Sequence, residues 1–242
     1  MKNILSYALV LLAAISVFAG EPKVPELAKL PSGDRQPTLM LGDSMMRLLG
    51  KAMEKELKKE GFAAKSFTSL GSGLARLDAF DWYTKIETMM KETQAATVVV
   101  TLGANDRQPL LNESGQTLQF GTEAWREEYG QRIGRAMDTL ISNGAKHVIW
   151  LLLPDMKDRT HQLYAEVVNE LYREQAAVET RKDSVILFDM RPLITRTPGT
   201  FTLFIMSPQG EALSVRDTDG VHLTMTGAKI VAEGLIKTFW KD

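Results

Sequence analysis

Short aliphatic or β-branched runs alternate with longer segments whose apolar residues recur every three to four positions. This alternation constrains the chain more than any other feature. Thr97-Val98-Val99-Val100-Thr101-Leu102 is the strongest run, and Thr38 to Leu41, Ala64 to Leu70, His147 to Leu153 and Val185 to Phe188 read the same way. Between them, Met45 to Met53, Trp82 to Glu92, Trp125 to Ser142 and Gln162 to Arg181 carry helical spacing, and a helix from Thr224 to Phe239 closes the chain. Strands apolar on both faces must be covered on both faces, and parallel strands joined by crossover helices supply that cover. The expected class is therefore α/β, with a parallel sheet between helices.

Two stretches interrupt the alternation. One is Arg107 to Thr122. The other is 200–216, where Thr202 to Met206 and Ala212 to Val215 flank Ser207-Pro208-Gln209-Gly210 and predict a β-hairpin. Insertions of this kind beside the carboxyl ends of parallel strands shape ligand crevices. The 242 residues suit one domain, and no internal repeat suggests a second.

The amino terminus reads differently. Lys2, an apolar run from Ile4 to Ala19 and the charged sequence from Glu21 have the layout of a secretory signal peptide, with Val17 and Ala19 suiting cleavage after Ala19. The run is short for a bilayer span, so cleavage is expected rather than anchoring, which leaves no integral membrane domain. The expected organisation is a signal peptide at 1–19, a proline-rich tether at 20–37 and a folded domain at 38–242. A periplasmic or secreted location follows. The chain has no cysteine, which excludes disulfides and a thiol nucleophile. Its formal net charge of −1 gives no electrostatic case for nucleic acid or an anionic membrane as partner.

Three strings carry the candidate chemistry: Gly42-Asp43-Ser44, Gly103-Ala104-Asn105-Asp106 and Asp219-Gly220-Val221-His222. Ser44 sits at a strand-to-helix junction, where Gly42 permits a sharp turn and free helix N–H groups face outward. The competing reading makes Asp43 or Ser44 an ordinary helix cap. A nucleophilic serine needs a base. Of the three histidines, His147 begins a buried-looking strand and His161 opens an amphipathic helix, whereas His222 lies in a turn three residues after Asp219. That spacing lets the carboxylate hold one ring nitrogen while the other faces the serine. Asn105 and Gly73 follow strands and are candidate oxyanion donors with the Ser44 N–H; singly they also read as a turn residue and a flexible loop. Arg76, Arg107 and Gln108 flank two of the strings as candidate substrate contacts, and Trp82 or Trp125 could stack on a sugar or anchor the core. Phosphate-loop, dinucleotide and His-Glu-x-x-His patterns do not occur.

With Gly73, these strings resemble the Ser, Gly, Asn and His blocks of the SGNH/GDSL hydrolase family, from Thr38 to the last helix. Gly71 to Arg76, Asp78 to Trp82 and Gly103 to Gln108 further resemble an exported bacterial subgroup of largely unassigned substrate. Met45 departs from the leucine that commonly follows the triplet, a near-isosteric change. The resemblance implies a three-layer α/β/α sandwich with a mostly parallel five-stranded, flavodoxin-like sheet. It also implies Ser44 as nucleophile, His222 as base, Asp219 as its orienter, and Ser44, Gly73 and Asn105 as the oxyanion hole, with no metal or cofactor. The expected function is an exported serine esterase that removes acyl groups, O-acetyl above all, from a small-molecule or cell-envelope carbohydrate ester, alongside envelope-polysaccharide machinery. Transfer of the acyl group to a sugar hydroxyl, and a non-catalytic envelope-binding module, are the alternatives.

Overall fold

The computed structural model describes residues 36–197 and 199–240. The stretch read as a signal peptide, and most of the tether, lie outside the described residues. Among those residues β1 (Thr38–Gly42), β2 (Ala64–Thr68), β3 (Thr97–Thr101), β6 (His147–Leu151) and β7 (Val185–Phe188) form one sheet in the order β2-β1-β3-β6-β7, every neighbouring pair parallel. This is the doubly wound, flavodoxin-like order. The connecting helices are α1 (Met46–Lys59), α2 (Trp82–Thr93), α3 (Glu123–Ser142) and α4 (Arg159–Ala176), and α6 (Met225–Phe239) ends the domain.

Period-two alternation decides the layers. Leu39 and Leu41, Val98 and Val100, and Val148 and Trp150 face a core completed by Trp82 and Ile86 of α2, Ile133 of α3 and Val168 of α4. Met40, Val99, Ile149 and Leu151 face the opposite core, filled by Leu49 and Met53 of α1 and Val231 and Leu235 of α6. The inner strands β1 and β3 are buried at every residue, as two-sided cover demands. At about 1.5–3 kcal/mol for each fully buried aliphatic side chain, these two layers supply the main driving force for folding.

Caps and edges set the boundaries. Helix α4 begins at Arg159, earlier than the periodicity predicts, because Asp158 accepts hydrogen bonds from the Thr160 and His161 N–H groups. It also ends early, at Ala176, and Arg181 turns back to grip Asp138 at 2.6 Å. Thr122 caps α3 and starts it at Glu123. The edge strand β2 stops at Thr68, where its pairing with Gly42 of β1 ends, so Leu70 is exposed rather than in the strand. The β-hairpin expected near 200–216 is present as β8 (Phe204–Met206) and β9 (Ala212–Ser214). A second small hairpin, β4 (Leu110–Leu111) with β5 (Thr117–Leu118), lies inside the first interruption, and a one-turn helix, α5 (Arg191–Ile194), follows β7. Both are too short to carry a readable period. Because the sheet is wholly parallel, the loops after β1, β3, β6 and β7 all emerge at its carboxyl edge.

Candidate active site

The strand-to-helix junction after β1 is built by close approach. Gly42 lies so near the Thr101 carbonyl of β3 that a Cβ there would overlap it. The Asp43 N–H donates to that carbonyl at 3.1 Å, and the Met46 and Arg47 N–H groups donate to the Asp43 and Ser44 carbonyls. The chain thus turns directly from strand into helix and leaves the Ser44 side chain half-buried at the carboxyl edge.

His222 reaches it from the other end of the chain. The Ser44 Oγ and His222 Nε2 are 2.7 Å apart, and His222 Nδ1 lies 2.6 Å from Asp219 Oδ2. The other oxygen of Asp219 accepts the Val221 and His222 N–H groups at 2.8 and 3.0 Å, so one carboxylate shapes the turn and orients the ring. Partial burial works to raise the pKa of Asp219, but the His222 ring and these two N–H donors outweigh it and hold the carboxyl at about 2. An ionised carboxylate at Nδ1 favours the tautomer protonated there, which leaves Nε2 free to accept the Ser44 proton.

The three predicted oxyanion donors sit on loops that are tied together. Asn105 Nδ2 donates one hydrogen to the Ser72 carbonyl at 2.9 Å, and its second amide hydrogen remains. The main-chain N–H groups of Ser44 and Gly73 have no protein acceptor among the described residues. Two buried aspartates, to which sequence reading gave no role beyond a helix cap, do the tying. Asp43 accepts from Met45 N–H at 2.9 Å with one oxygen and from the Gly103 and Ala104 N–H groups at 3.2 Å with the other, binding the serine junction to the asparagine loop. Asp106 accepts from the Leu74 and Ala75 N–H groups at 2.7 and 3.1 Å and from the Tyr129 hydroxyl at 2.7 Å, binding the asparagine loop to the glycine loop. The carboxylate of Asp106 fills the space a Cβ on Gly73 would need, which is why a glycine stands there. Burial pushes Asp43 up to about 7, against the pull of its three N–H donors, and burial also raises Asp106 against the Tyr129 hydroxyl.

A second tier holds these loops from outside. Arg132 donates to the Leu74 and Ala75 carbonyls at 3.0 Å, and Tyr164 and Tyr172 donate to the Gly103 and Leu102 carbonyls. Arg216, 3% exposed, donates to the Asp155 carbonyl at 2.7 Å and the Val221 carbonyl at 2.9 Å, and reaches the His222 carbonyl at 3.4 Å. Arg132, Tyr164 and Tyr172 lie far from the motifs in sequence, and Arg216, three residues before Asp219, has no spacing that announces its role.

The remaining candidates fare unevenly. Arg76 is exposed and pairs with Asp78 through two contacts of 2.7 and 2.8 Å. Gln108 is half-buried and folds back on its own loop, its side-chain amide donating one hydrogen to the Asn105 carbonyl at 3.1 Å while its main-chain carbonyl accepts from the Trp125 indole. Arg107 is exposed beside Asp106. Trp82 and Trp125 are fully buried, so neither can stack on a sugar and the core reading holds for both. His161 sits on Asp158 at the start of α4, away from Ser44.

Comparison with known proteins agrees with this architecture. The family described as Protein of unknown function (DUF459) matches residues 37–238. Among solved structures, a protein described as GDSL-like lipase from Parabacteroides merdae superposes with a TM-score of 0.58 at 11% identity, covering 89% of this chain and 100% of that one. A member of the lipolytic protein G-D-S-L family from Veillonella parvula gives a TM-score of 0.55 at 15% identity, over 84% of this chain and 98% of that one. No curated protein matches the chain. At such identities the likeness concerns the fold, whereas the family match spans the whole described domain; the chain is a member of the DUF459 family built on the GDSL-type α/β fold.

Proposed function

We propose that the protein is an exported serine esterase that removes small acyl groups, O-acetyl above all, from a cell-envelope carbohydrate. The observation that carries the reading is the continuous contact from Ser44 Oγ through the His222 ring to Asp219, at 2.7 and 2.6 Å. Those distances lie within proton-transfer reach. In the proposed cycle His222 Nε2 takes the Ser44 proton as Oγ attacks the ester carbonyl. The resulting oxyanion is met by the Ser44 and Gly73 N–H groups and the second amide hydrogen of Asn105. His222 then gives the proton to the departing alcohol, leaving an acyl-serine. Water, deprotonated by the same nitrogen, attacks the acyl carbon, and Ser44 recovers its proton as the acid leaves. Asp219, ionised throughout, stabilises the imidazolium that forms in each half.

The preference for a carbohydrate of the envelope rests on the export signal expected at residues 1–19 and on the insertions that line the carboxyl edge. Hydrolysis of an aryl acetate by the purified protein tests the chemistry. Ser44→Ala is expected to lower kcat about 10⁶-fold, as loss of the nucleophile does in other serine triads. Parental turnover in that variant would refute the reading.

A further inference from the structure

Beside the His222 turn lies a cleft of about 440 Å³ lined by Lys157, Arg196, Phe201, Thr202, Leu203 and Phe204. It is joined to the His222 turn by covalent and hydrogen-bonded structure. The Lys157 N–H donates to the Gly220 carbonyl at 3.1 Å, and Gly220 lies so close to Lys157 that any Cβ there would overlap its side chain. On the other wall the Val215 N–H donates to the Leu203 carbonyl at 2.9 Å, and Val215 leads straight into Arg216, which holds the His222 carbonyl. Phe201 stacks under the Arg216 guanidinium at 5.0 Å. Cleft and triad thus share their supporting residues.

The lining is unusual for a surface left to water. Lys157 and Arg196 are both exposed cations, and neither forms an ion pair among the described residues; the ammonium of Lys157 has only a long 3.5 Å contact with the Thr218 carbonyl. The same lining holds two phenylalanines, of which Phe204 is half exposed. The nearest buried carboxylate, Asp155, is already engaged by the Gly199 N–H at 3.0 Å and lies within 3.9 Å of Arg191. Two cations without carboxylate partners among the described residues, in one lining with the exposed Phe204 ring, match a ligand that offers negative charge and a C–H face together, as a sugar carrying a carboxylate does.

We propose that this cleft is a subsite for an acidic oligosaccharide, holding a carboxylate-bearing sugar while the ester of a neighbouring sugar lies at Ser44. The proposal rests on the reading of Ser44 as an ester-cleaving nucleophile acting on carbohydrate, and it specifies the substrate class. The chain sets the arrangement: the Lys157 N–H meets the Gly220 carbonyl, and Gly220 stands two residues before His222, whose ring meets Ser44, so the cleft lies across the His222 turn from the serine. An oligosaccharide laid over that turn places one sugar in the cleft and another at Ser44. The charge would therefore be read on a different sugar from the one that carries the ester.

Binding can be tested without turnover. Ser44→Ala protein is titrated with trigalacturonic acid and, separately, with its uncharged methyl ester, by calorimetry at low and high salt. The acid is expected to bind at least about tenfold more tightly than the methyl ester, with the preference shrinking at high salt. Adding Lys157→Gln and Arg196→Gln should abolish the preference, whereas Lys91→Gln on the far surface should preserve it. Equal binding of the two trisaccharides, or a preference that survives the double substitution, overturns the proposal. Because these titrations need no catalysis, their failure leaves the esterase reading standing, and an inactive parent enzyme leaves the titrations interpretable.

Discussion

Asp43→Asn is a sharp test of how the site is held together, because its cost should depend on pH in a direction the geometry dictates. In the parent, one carboxylate oxygen accepts the Met45 N–H and the other accepts the Gly103 and Ala104 N–H groups. Asparagine keeps the first contact but turns an amide donor toward the other two donors. Leaving two buried N–H groups without an acceptor costs about 2–6 kcal/mol. The substitution also removes a buried charge. Burial pushes the Asp43 carboxyl from its ordinary 3.8 to about 7, so ionising it in the folded protein costs about 4 kcal/mol above pH 7, at 1.36 kcal/mol per pH unit. Native protein holds this proton where the unfolded chain has lost it, so parental stability falls as pH rises from about 4 to about 7. The variant lacks that dependence. At pH 8 gain and loss nearly cancel; at pH 5 the parent is relieved of about 3 kcal/mol, and the variant should be worse off by that much more. Urea unfolding of both proteins at pH 5, 6, 7 and 8 measures the gap, with the titrating groups other than Asp106, whose charge repels that of Asp43, common to the pair. A gap that is constant with pH, or that widens toward pH 8, would show that burial does not hold the Asp43 carboxyl above its ordinary range.

Other residues make further tests. Asp219→Asn places an amide donor against His222 Nδ1 and favours the wrong ring tautomer, so kcat on an aryl acetate should fall on the order of 10⁴-fold while the fold persists. Tyr129→Phe deletes the hydroxyl donor to Asp106 and should lower unfolding free energy by about 1.5–3 kcal/mol in urea; an unchanged midpoint would discount that contact. Arg216→Met keeps the bulk but strips the donors from the Asp155, Val221 and His222 carbonyls, with a loss of about 1–3 kcal/mol for each buried carbonyl left unmatched and slower labelling of Ser44 by a fluorophosphonate. Labelling at the parental rate in folded protein would remove Arg216 from the residues that position His222.

Much of this protein was legible from local pattern. The run from Thr97 to Thr101 could bury both faces only inside a parallel sheet, and β3 occupies its centre. Ser44, Asn105 and His222 announced themselves because each stands in a short string at the end of a strand or the start of a helix, and such strings obey local rules of turn, cap and tautomer. Boundaries were less legible where a cap or a sheet edge overrode periodicity, as at Asp158 and at Leu70. Tertiary structure alone decided the rest. Asp43 and Asp106 gain their roles from N–H donors on other loops, up to 61 positions away, and Arg216 from carbonyls on Asp155 and Val221. Whether Trp82 and Trp125 face a substrate or the interior likewise depended on what packs over them. Sequence specifies what each segment prefers within a few residues of itself; which buried charge meets which donor follows only when the sheet has brought its loops to a common edge, since an unpaired polar group there is too costly to leave unmatched.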